Sequence, residues 1–177
     1  MGHMMKKIWN VTTSILVGFV ILLAVALVGV RLIGLNPYVV LSGSMEPVYH
    51  VGSLIYVKDV DYRELEVGDA ITFMLNEDTV ATHRIMEVLV DEEDPETIRY
   101  ITKGDANDAQ DGSPVHYKNV IGKPVFTIPY LGYISNYIQN PPGLYVAIAA
   151  GAILIMLVFL PDLFENDEKE ETEKSKK

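Results

Sequence analysis

The sequence predicts a mainly β domain carried between two membrane helices. Apolar residues gather at the two ends of the 177-residue chain, and the stretch between them is made of short β-type runs broken by turn signals. With no cysteine anywhere, that middle region must be held by its core alone.

The first ten residues read as a cytoplasmic N-terminus. Met1-Gly2-His3-Met4-Met5 looks like an expression scar, so His3 is given no functional weight. Residues 11–35 hold the first membrane helix. From Val11 to Val30 there is no charge, and twenty residues of helix span about 30 Å, one bilayer core. Ala24-Val25-Ala26 resembles a signal-peptide cleavage site, but the chain stays apolar to Val30 where such a region should turn polar, so an uncleaved anchor is expected. Lys6 and Lys7 put its start on the cytoplasmic side.

Residues 36–143 form the extracytoplasmic domain, with seven Lys or Arg against seventeen Asp or Glu. That balance, and the absence of a basic stretch, excludes a nucleic-acid partner. Strands are expected at Tyr38 to Leu41, Leu54 to Val57, Ala70 to Leu75, Val80 to Val88, Ile98 to Thr102 and Val120 to Ile128, separated by turns such as Val51-Gly52-Ser53, Val67-Gly68-Asp69 and Asn76-Glu77-Asp78. Asp91 to Glu96 reads as a solvated acidic hairpin tip. Ile128-Pro129-Tyr130-Leu131-Gly132-Tyr133 is apolar and aromatic, fitting either a core segment or one that dips into the lipid interface. Residues 144–160 are the second membrane helix, about 25 Å long, and 161–177 a charged, disordered cytoplasmic tail with four Lys and seven acids.

Three segments can carry chemistry. Ser42-Gly43-Ser44-Met45-Glu46-Pro47 follows the first membrane helix closely, and a Ser held beside Gly before a Pro-braced turn can present its hydroxyl, although such residues more often make only a turn. A serine needs a base within hydrogen-bond reach. His83 lies in the longest β run, whereas His50 and His116 lie in turn-like surroundings; among the lysines Lys58, Lys118 and Lys123 sit in polar or turn contexts, leaving Lys103 as the alternative base. Lys103 to Gly112 carries Asp105, Asp108 and Asp111 at three-residue spacing, any of which could orient a histidine. Counted as a calcium loop from Asp105, the segment fails at Ala109 and Gln110, so no metal is expected.

Together Ser42 to Pro47, Thr82-His83-Arg84-Ile85 and Thr102 to Asp111 resemble the boxes of the ER-type signal peptidases of type I, the branch shared by eukaryotes, archaea and SipW-like bacterial enzymes. Glu66 to Phe73 and Val120-Ile121-Gly122-Lys123 extend the resemblance, which runs from about Val39 to Gly132. It implies a signal-peptidase-like β-barrel or β-sheet catalytic domain and a membrane serine endopeptidase that removes signal peptides after small-x-small motifs, without a cofactor. By the resemblance Ser44 is the nucleophile and His83 the base. Asp111 is taken as the histidine's partner and Asp105 as a supporting carboxylate, and Ser42 and Met45 are assigned to the oxyanion and substrate side. The implied partners are signal-peptide-bearing preproteins, the lipid bilayer and accessory membrane subunits, and the substrate is expected to bind extended at a sheet edge, with Val39 to Leu41 and Ala70 to Leu75 as the candidate edges. The competing readings are a membrane-anchored β-domain that only binds a partner, and a Ser-Lys peptidase using Lys103.

Overall fold

The computed structural model of the chain describes residues 3–174 except 78 and 92, with side chains described from 4 to 159 apart from those two positions. Asp78 of the expected turn, Glu92 of the acidic tip, the His3 side chain and residues 175–177 lie outside this description. The chain divides into two compact units, Leu27–Asn136 and a second made of Met1–Ala26 with Tyr137–Lys177.

In the helical unit, α1 is His3–Leu27 and α3 is Gly143–Lys174. Trp9 donates its indole N–H to the Leu157 carbonyl at 3.3 Å, which ties the two helices together. The stretch Met4–Leu27 is long and apolar enough to cross a membrane. Among the described residues, Gly143–Phe159 meets that test only when joined to the preceding helix α2, Leu131–Gln139. α3 continues past the apolar run, and its side chains from 160 onward, where the charged tail is expected, lie outside the description.

The other unit is a curled antiparallel sheet of seven strands: β1 Leu35–Val39, β2 Leu54–Lys58, β3 Ala70–Met74, β4 Val80–Val90, β5 Ile98–Lys103, β6 Val115–His116 and β7 Val120–Ile128, in the order β1-β2-β7-β3-β4-β5-β6. The apolar run Leu54-Ile55-Tyr56-Val57 is buried without alternation, as expected of a strand covered on both faces. Leu65, Ile71, Phe73, Ile85, Tyr100 and Val115 form the main core. Tyr100 satisfies its buried hydroxyl by donating to the Tyr62 carbonyl at 2.6 Å, and burial pushes that phenol up to about 12.

Three expectations need correction. β1 begins at Leu35 and stops at Val39, earlier than expected, because a left-handed Gly34 turns the chain directly into pairing with β2. His116 is in the short strand β6, where Arg99 on β5 is its partner, rather than in a turn. The run Ala70 to Leu75 was a candidate sheet edge, but β3 lies inside the sheet, between β4 and β7.

β7 serves β3 with its first residues and β2 with the rest, so it must bend at the change of partner. Gly122 sits at that bend with φ +151°, and a Cβ there would lie 2.0 Å from the Lys58 carbonyl oxygen. Gly122→Ala should therefore cost about 2 kcal/mol or more, read as a clear drop in melting temperature by circular dichroism. An unchanged melting temperature would show that this crossing is not under such constraint.

Candidate active site

Ser44 lies in the turn after β1, where Glu46 N–H reaches back to the Gly43 carbonyl at 3.1 Å and Val48 and Tyr49 N–H groups reach the Met45 carbonyl. Met45 is 3% exposed and points into the fold, anchoring the turn from beneath. Glu46, before a cis peptide to Pro47, accepts from the Val51 amide at 3.2 Å and lies 2.5 Å from His50 Nδ1. His50 is thus engaged with Glu46, outside the Ser44 cluster.

His83 is placed by β4, whose pairing with β3 sets it opposite Ile71. Phe73 meets the imidazole edge-on, with ring centres 6.1 Å apart. His83 Nε2 is 3.2 Å from Ser44 Oγ and its Nδ1 is 2.6 Å from Asp111 Oδ2. With Nδ1–H donating to the carboxylate, the Nε2 lone pair is left to accept from the Ser44 hydroxyl. The Thr102 hydroxyl, completely buried at the end of β5, donates to the same Asp111 oxygen at 2.6 Å, and Asp111 N–H returns to the Thr102 carbonyl at 2.8 Å. Asp111 is therefore aimed by two bonds from one residue.

Asp105 stands apart from that chain. Arg84 Nε and a terminal guanidinium nitrogen grip its two oxygens at 2.8 and 2.6 Å, and a further Arg84 N–H donates to the Gly68 carbonyl at 2.6 Å. The Arg84 fork holds the Asp105 carboxyl below its ordinary value, against the opposing effect of burial. The loop that carries it is pressed onto the serine turn. Ala106 N–H donates to the Ser44 carbonyl at 2.9 Å, Asp105 N–H approaches Met45 Sδ at 3.4 Å, and a Cβ on Gly104 would lie 2.5 Å from the Ser44 carbonyl oxygen. Ser42 Oγ is 3.3 Å from Ser44 Oγ, on the open side.

Residues 12–124 match the family described as signal peptidase, peptidase S26. The chain belongs to that family. It is 40% identical over 124 residues to signal peptidase I W of Bacillus subtilis, covering 66% of this chain and 64% of that one. It is 30% identical over 128 residues to the signal peptidase complex catalytic subunit SEC11C of Rattus norvegicus, covering 67% and 66%, and equally similar to the human protein of that name. The chain thus spans just under two thirds of the length of these relatives.

In this member of the signal peptidase family, the sequence-selected residues Ser44, His83 and Asp111 come together, and Ser42 joins them at the rim. Asp105 and Met45 meet one another beneath the turn. Among the described residues no hydrogen bond or ion pair links Lys103 to Ser44 or His83, and no group of three or more His, Asp or Glu could hold a metal. Sequence reasoning passed over Arg84 and Thr102 as contributors, although both lie inside the boxes it selected. It also left the link between two further boxes unread: Lys123 Nζ is 2.5 Å from Asp69 Oδ1. Burial raises the Asp69 carboxyl, but this bond and the Glu66 amide outweigh it and leave a net lowering.

The sign of the pH effect follows from Asp105. Its folded-state pKa lies below the ordinary 3.8, so its contribution to stability is fully present above about pH 4 and disappears as pH falls through the lowered value. Asp105→Asn should lower stability by about 1.5–3 kcal/mol at pH 7, and thermal melts of variant and parent should converge below pH 4. A gap that stays constant down to pH 2 would contradict the ion-pair assignment.

Proposed function

We propose that the chain is a membrane-bound serine endopeptidase that removes N-terminal signal peptides from exported proteins. The observation that carries this reading is the hydrogen-bonded series Ser44 Oγ, His83 Nε2, His83 Nδ1, Asp111 Oδ2, in a chain of the signal peptidase family.

Ser44 Oγ attacks the scissile carbonyl carbon while His83 Nε2 takes its proton. The imidazolium is stabilised by Asp111, which is itself fixed by Thr102. We assign the Ser44 amide and the Ser42 hydroxyl, the latter 3.3 Å from Ser44 Oγ, as donors to the developing oxyanion. The C–N bond then breaks as the imidazolium gives its proton to the leaving amine. A water molecule, deprotonated by the same nitrogen, attacks the acyl-enzyme and releases the signal peptide with Ser44 restored. Asp105 takes no part in proton transfer. It acts with Arg84 to keep the loop of Gly104 and Ala106 against the serine turn.

The substrate binds extended, as an added strand. β5 begins to pair with β4 only at Arg84, so the backbone from Val80 to Thr82 has β3 on one side and an open edge on the other, leading to His83. The segment after β1, at Leu41 and Ser42, is the facing candidate. Small residues at the first and third positions before the cut fit such a shallow edge.

Membrane confinement of enzyme and substrate to one plane completes the reading. α1 is the anchor, with Lys6 and Lys7 cytoplasmic and the sheet on the outer side; α3 returns the chain to the cytoplasm. The rat and human relatives are named as catalytic subunits of a signal peptidase complex, which supports accessory membrane subunits for this chain as well.

Substitution at the base tests the mechanism. With a small-x-small preprotein in detergent, His83→Ala should lose at least about 10²-fold in kcat, whereas Lys103→Ala should keep a large part of the parental rate. The reverse pattern would favour a Ser-Lys peptidase, and full activity of both variants would remove either group from the mechanism.

A further inference from the structure

Helix α2 packs one side closely on the domain and leaves several large apolar and aromatic residues exposed. Its small residues face the domain: Gly132 is buried so tightly that a Cβ would lie 2.4 Å from the Ser53 carbonyl oxygen, and Ser135 is 3% exposed. Leu131 and Ile138 are half-buried on that side, whereas Tyr133, Ile134 and Tyr137 are exposed alongside the polar Asn136 and Gln139; the Tyr133 ring lies over Gly52 and its hydroxyl donates to the Val51 carbonyl at 3.4 Å. Tyr133 is 56% exposed and Ile134 44%, and helical spacing continues the stripe to Tyr137. Tyr130, just before the helix, is 75% exposed and is held at φ +64°, a conformation that costs a non-glycine residue energy and here presents the ring to the outside. Val125 and Phe126, in the preceding strand β7, are exposed as well. Water is a poor solvent for such a stripe.

We infer that the outward stripe of Tyr130, Tyr133 and Ile134 is seated in the headgroup–acyl boundary of the lipid bilayer, making α2 an interfacial helix that holds the peptidase domain against the membrane. Two observations select lipid over a protein partner. From Pro124 to Pro161 the sequence contains no charged residue, so nothing within or beside α2 in the sequence supplies the ionic contacts that orient one protein on another or resist burial in the boundary. The stripe is also rich in tyrosine, whose apolar ring and polar tip suit that boundary, and it leads within a few residues into the apolar helix α3. At nine residues, α2 is about 14 Å long, enough to lie in the interface and too short to cross it. The inference rests on the reading of α1 as a membrane anchor and is independent of the peptidase chemistry.

The chain has no cysteine, so single cysteines can be introduced and spin-labelled without background. Tyr130→Cys, Tyr133→Cys and Ile134→Cys, each in the full chain reconstituted into phosphatidylcholine–phosphatidylglycerol vesicles, are to be compared with Glu87→Cys on the exposed part of β4 and Phe19→Cys in α1. Collision with oxygen, which partitions into lipid, should exceed collision with a water-soluble nickel chelate severalfold at the three α2 sites and at Phe19, and the ratio should invert at Glu87. Nickel access at the α2 sites equal to that at Glu87 would overturn the inference, because the stripe then faces water. Protection from both reagents would overturn it in favour of coverage by protein, such as a second copy of the chain. Loss of oxygen access at Phe19 as well would remove the anchor reading and this inference with it.

Discussion

The contact on which the site depends is the approach of the Gly104–Ala106 backbone to the carbonyl of Ser44. The serine turn and the loop after β5 are about sixty residues apart in sequence, and a hydrogen bond of 2.9 Å joins them directly beside the nucleophile candidate. A side chain at position 104 would hold them apart. Arg84 closes the same junction from β4 by gripping Asp105, so the residue next to His83 also fixes the loop that ends in Asp111. One strand thereby carries both His83 and the arginine that clamps the loop of Asp105.

The charges are divided accordingly. Asp105 is neutralised by a bidentate guanidinium, while Asp111 accepts from Thr102 and faces the imidazole. Two carboxylates six residues apart in one loop are thus given different work by their surroundings. Lys123 and Asp69 add a second ion pair, which joins β7 to the turn before β3. With no disulfide available, such buried or half-buried polar links, together with the core around Phe73, Ile85 and Tyr100, keep the loops of a small sheet in register.

Much of this was legible in the sequence because it is local. Runs of β-branched and aromatic residues bounded by Gly and Asp marked six of the seven strands, and the boxes around Ser44, His83 and Asp111 marked the cluster. The rest depends on which strands become neighbours. The different partners of Asp105 and Asp111 follow from the β4–β5 register, which sets Arg84 opposite Lys103 and Ile85 opposite Thr102, and spacing along one loop carries no trace of that. The supposed edge at Ala70 to Leu75 failed for the same reason, since its pairing with β7 is a long-range event. β6 has only two residues and no pattern to detect. α2 escaped notice because it is only nine residues long and its pattern is mixed, with Gly132 and Ser135 packed beside Leu131 and Ile138 while Tyr133, Ile134 and Tyr137 stay exposed.

The central claim is that Ser44 is the nucleophile of a signal peptidase. It is tested most directly by incubating the purified full chain in detergent with a preprotein bearing a small-x-small signal, beside the Ser44→Ala variant, and reading the product termini by mass spectrometry. A single cut after the small residue, present with the parent and absent with the variant, is the expected result. Cleavage that persists in Ser44→Ala, or no cleavage by a parent shown to be folded, would contradict the claim.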